Sequence, residues 1–182
     1  EDDKYRHSEL LTSTIKDILV QNNISAKDLS AVAIGIGPGS FTGLRIGFSV
    51  AKGLCYPHKI NLIGISSLKI LANSIKADSG DIVSMINDKG NFYYLSTFED
   101  KLNEVGNPIL EQVDPNFIKK YIKDGSTIVV NSEDSFNYIS TTINDQIKLI
   151  NKSISSINMI DLSYESFLEK RFEDLAYCEP LY

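Results

Sequence analysis

The segment best suited to chemistry is Gly35-Ile-Gly-Pro-Gly-Ser-Phe-Thr-Gly-Leu-Arg-Ile-Gly47, a glycine-rich turn between an apolar run and a helical pattern. A strand entering such a turn and a helix leaving it is a common setting for phosphate, because the helix start presents unpaired N–H groups. The spacing fails both familiar versions. A P-loop ends its glycines in Lys-Ser or Lys-Thr, whereas Gly37 and Gly43 lead to Leu44-Arg45. The dinucleotide pattern G-x-G-x-x-G needs glycine where Ser40 or Thr42 stands. Metal chemistry is no better supplied. His7 and His58 lie in different segments with no histidine or cysteine at ligand spacing, so each reads as a surface or capping residue. Cys55 and Cys178 form no C-x-x-C pair and read as reduced, buried thiols of a cytoplasmic protein. Asp88, inside Asn87-Asp88-Lys89-Gly90-Asn91, would meet a metal or a base, or be a solvated turn aspartate. No histidine-based nucleophile pair is evident.

The helix after the turn carries a different signal. Gly43, Gly47 and Ala51 are four apart and fall on one face, with Gly53 nearby. Glycine inside a helix costs about 1 kcal/mol relative to alanine, so a stripe of small residues implies close approach of another backbone. Two readings stand: packing on the chain's own sheet or first helix, or joining a helix of another chain in a bundle. The second makes Leu44, Gly47, Phe48 and Ala51 the contact face, with Leu11 and Ile15 on the first helix.

These residues need elements to hold them. Leu11, Ile15, Ile18 and Leu19 recur at helical spacing over residues 8–22, and Asn22-Asn23 make a stop. Residues 31–36 read as a short buried strand, and Ser40 caps a helix that runs to about Tyr56, where Pro57 ends it. Residues 62–65 form a second buried strand, followed by a helix from Ser66 or Ser67 to about Ala77. This alternation favours parallel strands covered by helices. After a soft boundary at Asp78-Ser79-Gly80 the rhythm changes. Residues 82–86 and 92–98 flank a hairpin connection, and 108–113 make a possible third strand. Asp114-Pro115 starts a helix. A strand at 127–130, a helix at 133–141, a strand at 146–150 and a final helix over 157–172 complete the series. The expected units are thus 1–79 and an α/β unit, 80–182.

With 182 residues, 42% of them hydrophobic, the chain is large enough for a packed core without disulfide or metal staples. Eighteen basic against 24 acidic residues give a net charge of −6. That balance argues against a protein that grips nucleic acid by itself. No stretch reaches the length of a membrane span.

The turn, together with Ala51-Lys52-Gly53-Leu54, Gly64-Ile65-Ser66-Ser67-Leu68 and Leu71-Ala72, resembles the TsaB (YeaZ) family in order and spacing. His7-Ser8-Glu9-Leu10-Leu11 and Glu179-Pro180-Leu181-Tyr182 are similar to that family too, and residues 85–93 match it loosely. The resemblance implies an actin- and sugar-kinase-like α/β fold, with two lobes built on the ribonuclease-H-like motif. It also implies N-terminal strands that precede the first helix, apparently lacking in this chain. The implied role is a non-catalytic subunit that partners TsaD, a glycoprotease-like paralogue, in making threonylcarbamoyladenosine on tRNA. The family signature covers Gly37, Pro38, Gly39, Ser40, Phe41, Thr42 and Arg45. Arg45 reads either as a surface salt-bridge residue or as a contact to the partner or to tRNA phosphate. ATP or ADP and metal are expected on TsaD and not on this chain. A TsaE-type ATPase is expected in the larger complex, with tRNA engaged indirectly and a homodimer when the partner is absent. TsaD's metal is held by two histidines on the helix after its second strand, and the stretch 66–72 has none. The alternative is an independent actin-fold kinase or hydrolase.

Overall fold

A computed structural model describes residues 3–75, 80–99 and 102–181. Helix α1 (Asp3–Gln21) leads to strand β1 (Ala31–Gly37), helix α2 (Phe41–His58), strand β2 (Asn61–Ser66) and helix α3 (Ser67–Ala72). A meander of β3 (Ile82–Lys89), β4 (Phe92–Glu99) and β5 (Asn103–Gln112) follows. Helix α4 (Pro115–Tyr121), β6 (Thr127–Val130), α5 (Glu133–Ser140), β7 (Lys148–Asn151) and α6 (Ile160–Leu168) complete the series.

The strands pair into two sheets. β1 and β2 pair in parallel, Ala31 opposite Asn61 and Gly35 opposite Ile65. The second sheet runs β5-β4-β3-β6-β7, with β3, β4 and β5 antiparallel and β6 and β7 parallel to β3. This mixed α/β arrangement is that of a ribonuclease-H-like lobe. α3 lies between the sheets. Its Leu68, Leu71 and Ala72 pack on Ile82, Ile86, Phe98 and Val129 of the second sheet, while Ile70 joins Ile63, Ile65 and Leu162 beneath the first. The opposite face of the second sheet buries Met85, Tyr93, Ile128 and Val130 against Ile118 of α4 and Ile139 of α5. α2 covers the other face of the first sheet through Ala51 and Cys55.

Several expectations need correction. β1 is not a buried strand: only Gly37 in it is buried, because among the described residues β1 pairs with β2 alone. Pro57 does not end α2. Its missing N–H falls in the last turn, where it costs one bond, and Lys59 (φ 55) closes the helix one residue after His58, its N–H reaching the carbonyls of Cys55 and Tyr56. α3 stops at Ala72, where Asn73 caps it and donates from Nδ2 to the Asn158 carbonyl at 2.8 Å. The last helix is shorter than 157–172. Residues 156–159 form a 3-10 turn, and Lys170 (φ 57) follows the end of α6.

The third strand starts at Asn103, earlier than 108. It is a sheet edge, so it tolerates Pro108, and its pairing slips between Val105 and Ile109, where Gly106 (φ 78) sits. Asp114 caps α4 by accepting from the Phe117 N–H at 2.7 Å, as its position before proline predicts. The boundary at Asp78-Ser79 and the side chains of His7, Ser8 and Glu9 lie outside the described residues. The chain after β7 returns to the first sheet, where Leu62 and Glu173 form an antiparallel bridge.

Candidate partner-docking site

The glycine-rich turn is built by the end of β1. Gly37 adopts φ 106, a conformation that side chains disfavour, and the chain reverses through Pro38 and Gly39 into the N-cap Ser40. The Ser40 hydroxyl accepts the Gly43 N–H at 3.3 Å, satisfying one of the orphan donors of α2. The Arg45 guanidinium carbon lies 3.9 Å from the centre of the Phe41 ring, a cation–π pair at the exposed start of the helix. Phe41, Thr42 and Arg45 are all solvent-facing.

The stripe along α2 resolves into two sides. Phe48 is 4% exposed and Ala51 5% exposed, both in the chain's own core. A Cβ at Gly47 would meet Ile34 Cδ1 of β1 at 3.5 Å. Gly47, Phe48 and Ala51 therefore pack on the first sheet and are not a surface for another chain, contrary to the bundle expectation. The physical reason is that an amphipathic helix turns its most apolar stripe toward its own sheet first. Leu44 is half-buried beside Gly37. Gly43 is exposed, and its missing side chain leaves room for the Ser40 cap.

The opposite side of α2 is where surface remains. A Cβ at Gly53 would find no atom within 4 Å. Thr12 and Ile15 of α1 and Ser49, Val50, Gly53 and Leu54 of α2 line a groove of about 380 Å³. α1 itself has no buried side chain from residue 10 onward; Leu10 is 57%, Ile18 52% and Val20 65% exposed, and Leu11 lies at the border of exposure. The contact positions at Leu11 and Ile15 stay at the surface; sequence reasoning named Gly53 only as a neighbour of the stripe and missed Val50 and Leu54. Their signal was present in the helical spacing of 46, 50 and 53–54, on the side away from the buried Phe48 and Cys55.

The described residues contain no group of three or more His, Cys, Asp or Glu able to hold a metal. In the stretch 66–72, Leu68 and Leu71 are fully buried. Asp88 is exposed near the end of β3, before the β3–β4 turn, which the Asn87 amide closes by donating to the carbonyls of Gly90 at 2.8 Å and Phe92 at 3.1 Å. His58 is exposed in the last turn of α2. Cys55 is buried, which raises its pKa. Burial, reinforced by the charge and hydrogen bond of Glu173, pushes the Cys178 thiol up to about 11. Both cysteines are free thiols; Cys55 is buried as expected, whereas Cys178 is only partly buried.

Residues 1–158 match the family of TsaD, tRNA N6-adenosine threonylcarbamoyltransferase. The chain belongs to that family, in its TsaB/YeaZ group. It is 38% identical over 74 residues to the tRNA threonylcarbamoyladenosine biosynthesis protein TsaB of Escherichia coli (strain K12), covering 41% of this chain and 32% of that protein. It is 31% identical over 113 residues to TsaB of Bacillus subtilis (strain 168), covering 62% of this chain and 47% of that one. The matches thus span from about a third to about half of the length of these curated TsaB relatives. The solved structure of YeaZ from Pseudomonas aeruginosa superposes with a TM-score of 0.81 at 18% identity, over 97% of this chain and 84% of that one. The TsaB/YeaZ fold is therefore present through β7 and α6, where sequence similarity alone is faint. Among the described residues no helix is long and apolar enough to cross a membrane.

Proposed function

We propose that this chain acts in the biosynthesis of threonylcarbamoyladenosine on tRNA, as a non-catalytic subunit that docks a TsaD-type transferase through α1 and the outer side of α2. The observation that carries the reading is the state of α1. Nineteen residues of helix hold no buried side chain in the part whose side chains are described; Leu10, Ile18 and Val20 are exposed, and Thr12 and Ile15 line an apolar groove. A helix draws most of its stability from packing an apolar face, so this one is completed by a partner. A helical partner suits the groove, because Gly53 admits close backbone approach there. Curated relatives named TsaB, and a family match named for TsaD, supply the pathway.

On this reading ATP or ADP and the metal reside on TsaD, and a TsaE-type ATPase joins the larger assembly. The partner also supplies most of the positive surface for tRNA, since this chain carries a net charge of −6. The same apolar side closes a homodimer when TsaD is absent, as a self-complementary helix pair does around a two-fold axis. The protein works in the cytoplasm, where tRNA is modified.

Size-exclusion chromatography with light scattering, on the full-length chain alone and mixed with TsaD from the same source, tests this. A mixed complex that replaces the separate species supports the docking role. No complex, even with nucleotide and the TsaE-type component supplied, sinks it. Nucleotide turnover by the isolated full-length chain would favour an independent actin-fold enzyme instead.

A further inference from the structure

Two glycines far apart in sequence are kept bare by one and the same stretch of chain. A Cβ at Gly37 would collide with the Leu181 carbonyl oxygen, and the Leu181 N–H donates to the Ile36 carbonyl at 2.7 Å. A Cβ at Gly64 would stand 2.6 Å from Oε1 of Glu173, whose own N–H donates to the Leu62 carbonyl at 2.8 Å. Between these anchors, Asp174 folds the segment into a turn. Its Oδ1 accepts the N–H groups of Ala176 and Tyr177, and its carbonyl accepts that of Cys178. Leu175 and Cys178 pack against the α2–β1–β2 core. Cys178, Glu179 and Pro180 then lie along the flank of α2 that carries Arg45, Phe48 and Lys52.

We infer that residues 173–181 are a strap whose backbone, seated on Gly37 and Gly64, sets the conformation of the signature turn and thereby the alignment of α2 for its partner. The inference rests on the docking role proposed above for α2. Its logic is geometric. α2 is fixed on its inner side by Phe48 and Ala51, but its first turn hangs from Gly37, Pro38 and Gly39, and a Cβ at Gly39 would meet no atom within 4 Å. Leu181 holds the start of this turn from outside β1 and α2. Leu181 is half-exposed, and its attachment is made by its backbone. Leu181 and Glu173 are positioning residues in this sense; neither reaches the groove.

The test compares Leu181→Pro, which removes the donating N–H, with Leu181→Ala, which keeps it, in the full-length chain. Hydrogen exchange of the free protein and affinity for TsaD are both measured. Leu181→Pro is expected to speed exchange over residues 36–45 by about tenfold or more while leaving residues 127–130 of β6 unchanged, and to weaken TsaD binding several-fold. Leu181→Ala is expected to match the parent in both. Unchanged exchange at 36–45 in Leu181→Pro overturns the strap, as does faster exchange everywhere. Local loosening with unchanged TsaD affinity overturns the link from turn to partner. If the parent chain does not bind TsaD at all, the docking role has failed, and the exchange arm still decides whether the strap exists. Should Leu181→Pro not fold, a chain ending at Tyr177 replaces it with the same expectations.

Discussion

Gly47 sits over Ile34, close enough that a Cβ there would touch its Cδ1 at 3.5 Å, whereas a Cβ at Gly53, on the other side of the same helix, would touch nothing. Of the three glycines of α2, Gly47 thus lies against the chain's own strand and Gly53 faces open space. One admits the chain's own strand, and the other keeps a surface groove open.

Leucine at the two sites should separate these roles. Gly47→Leu drives a side chain into β1 and is expected to destabilise the fold by about 1–3 kcal/mol. Gly53→Leu removes a helix glycine, which favours the fold by up to about 1 kcal/mol, while filling the groove. Urea unfolding should give opposite signs for the two variants, and only Gly53→Leu should weaken TsaD binding with the fold intact. Full affinity in Gly53→Leu would move the docking face off this groove.

Gly64 and Glu173 should behave as a coupled pair. Gly64→Ala places a methyl 2.6 Å from the Glu173 carboxylate and 2.7 Å from Ile36 Cγ2. A loss of about 1–3 kcal/mol is expected. Adding Glu173→Ala relieves one of the two clashes, so the double variant should be more stable than the sum of the singles by roughly 0.5–2 kcal/mol. Strict additivity in denaturant titrations would mean that the carboxylate moves aside freely.

The Cys178 thiol should resist alkylation until high pH. Its folded value is about 11, set by burial first and by Glu173 second. The ordinary thiol value is about 8.5. The folded state therefore favours the neutral form, a contribution to stability fully present below about pH 8.5 and lost as pH rises toward 11. Iodoacetamide labelling, read by peptide mass spectrometry, should be slow at pH 8 in the native chain and fast in urea. Equal rates at pH 8 would contradict the shift.

Tyr138 serves as a control far from the groove. Its hydroxyl donates to the Val113 carbonyl at 2.7 Å, and its ring stacks on Tyr93 at 6.3 Å between centroids. Tyr138→Phe should cost about 1 kcal/mol of stability and leave TsaD affinity untouched. A change in affinity would show that the second sheet takes part in docking.

How far the sequence could be read depended on the range of the interactions. Caps and turns declared themselves locally: Asp114 before Pro115, Asn22-Asn23 at the end of α1, and the hairpin around Gly90 all sit where residue chemistry placed them. The stripe Gly43, Gly47 and Ala51 was legible as a close-packing face, but periodicity cannot say which neighbour fills it. Burial of Phe48 and Ala51 in the chain's own core decided that. β1 looked like a buried strand because Ala31-Val-Ala-Ile-Gly-Ile carries no charge, and the number of neighbouring strands leaves no trace in its own residues. The seat of Leu181 on Gly37 was invisible. Partners 144 positions apart share no period, and backbone contacts select for glycine on one side only.

The sheet edges are guarded unequally, and this bears on how the protein behaves in solution. β5 ends its sheet with Pro108, a slipped register and the charges of Glu104 and Glu111, all of which deter another strand. β7 offers only four residues. β1 offers seven, uncharged and without proline, and among the described residues it pairs on one side only. Pro108, Gly106 and the two glutamates make β5 an edge that other strands avoid, so the meander side of the second sheet is expected to stay free of strand-to-strand association at high concentration.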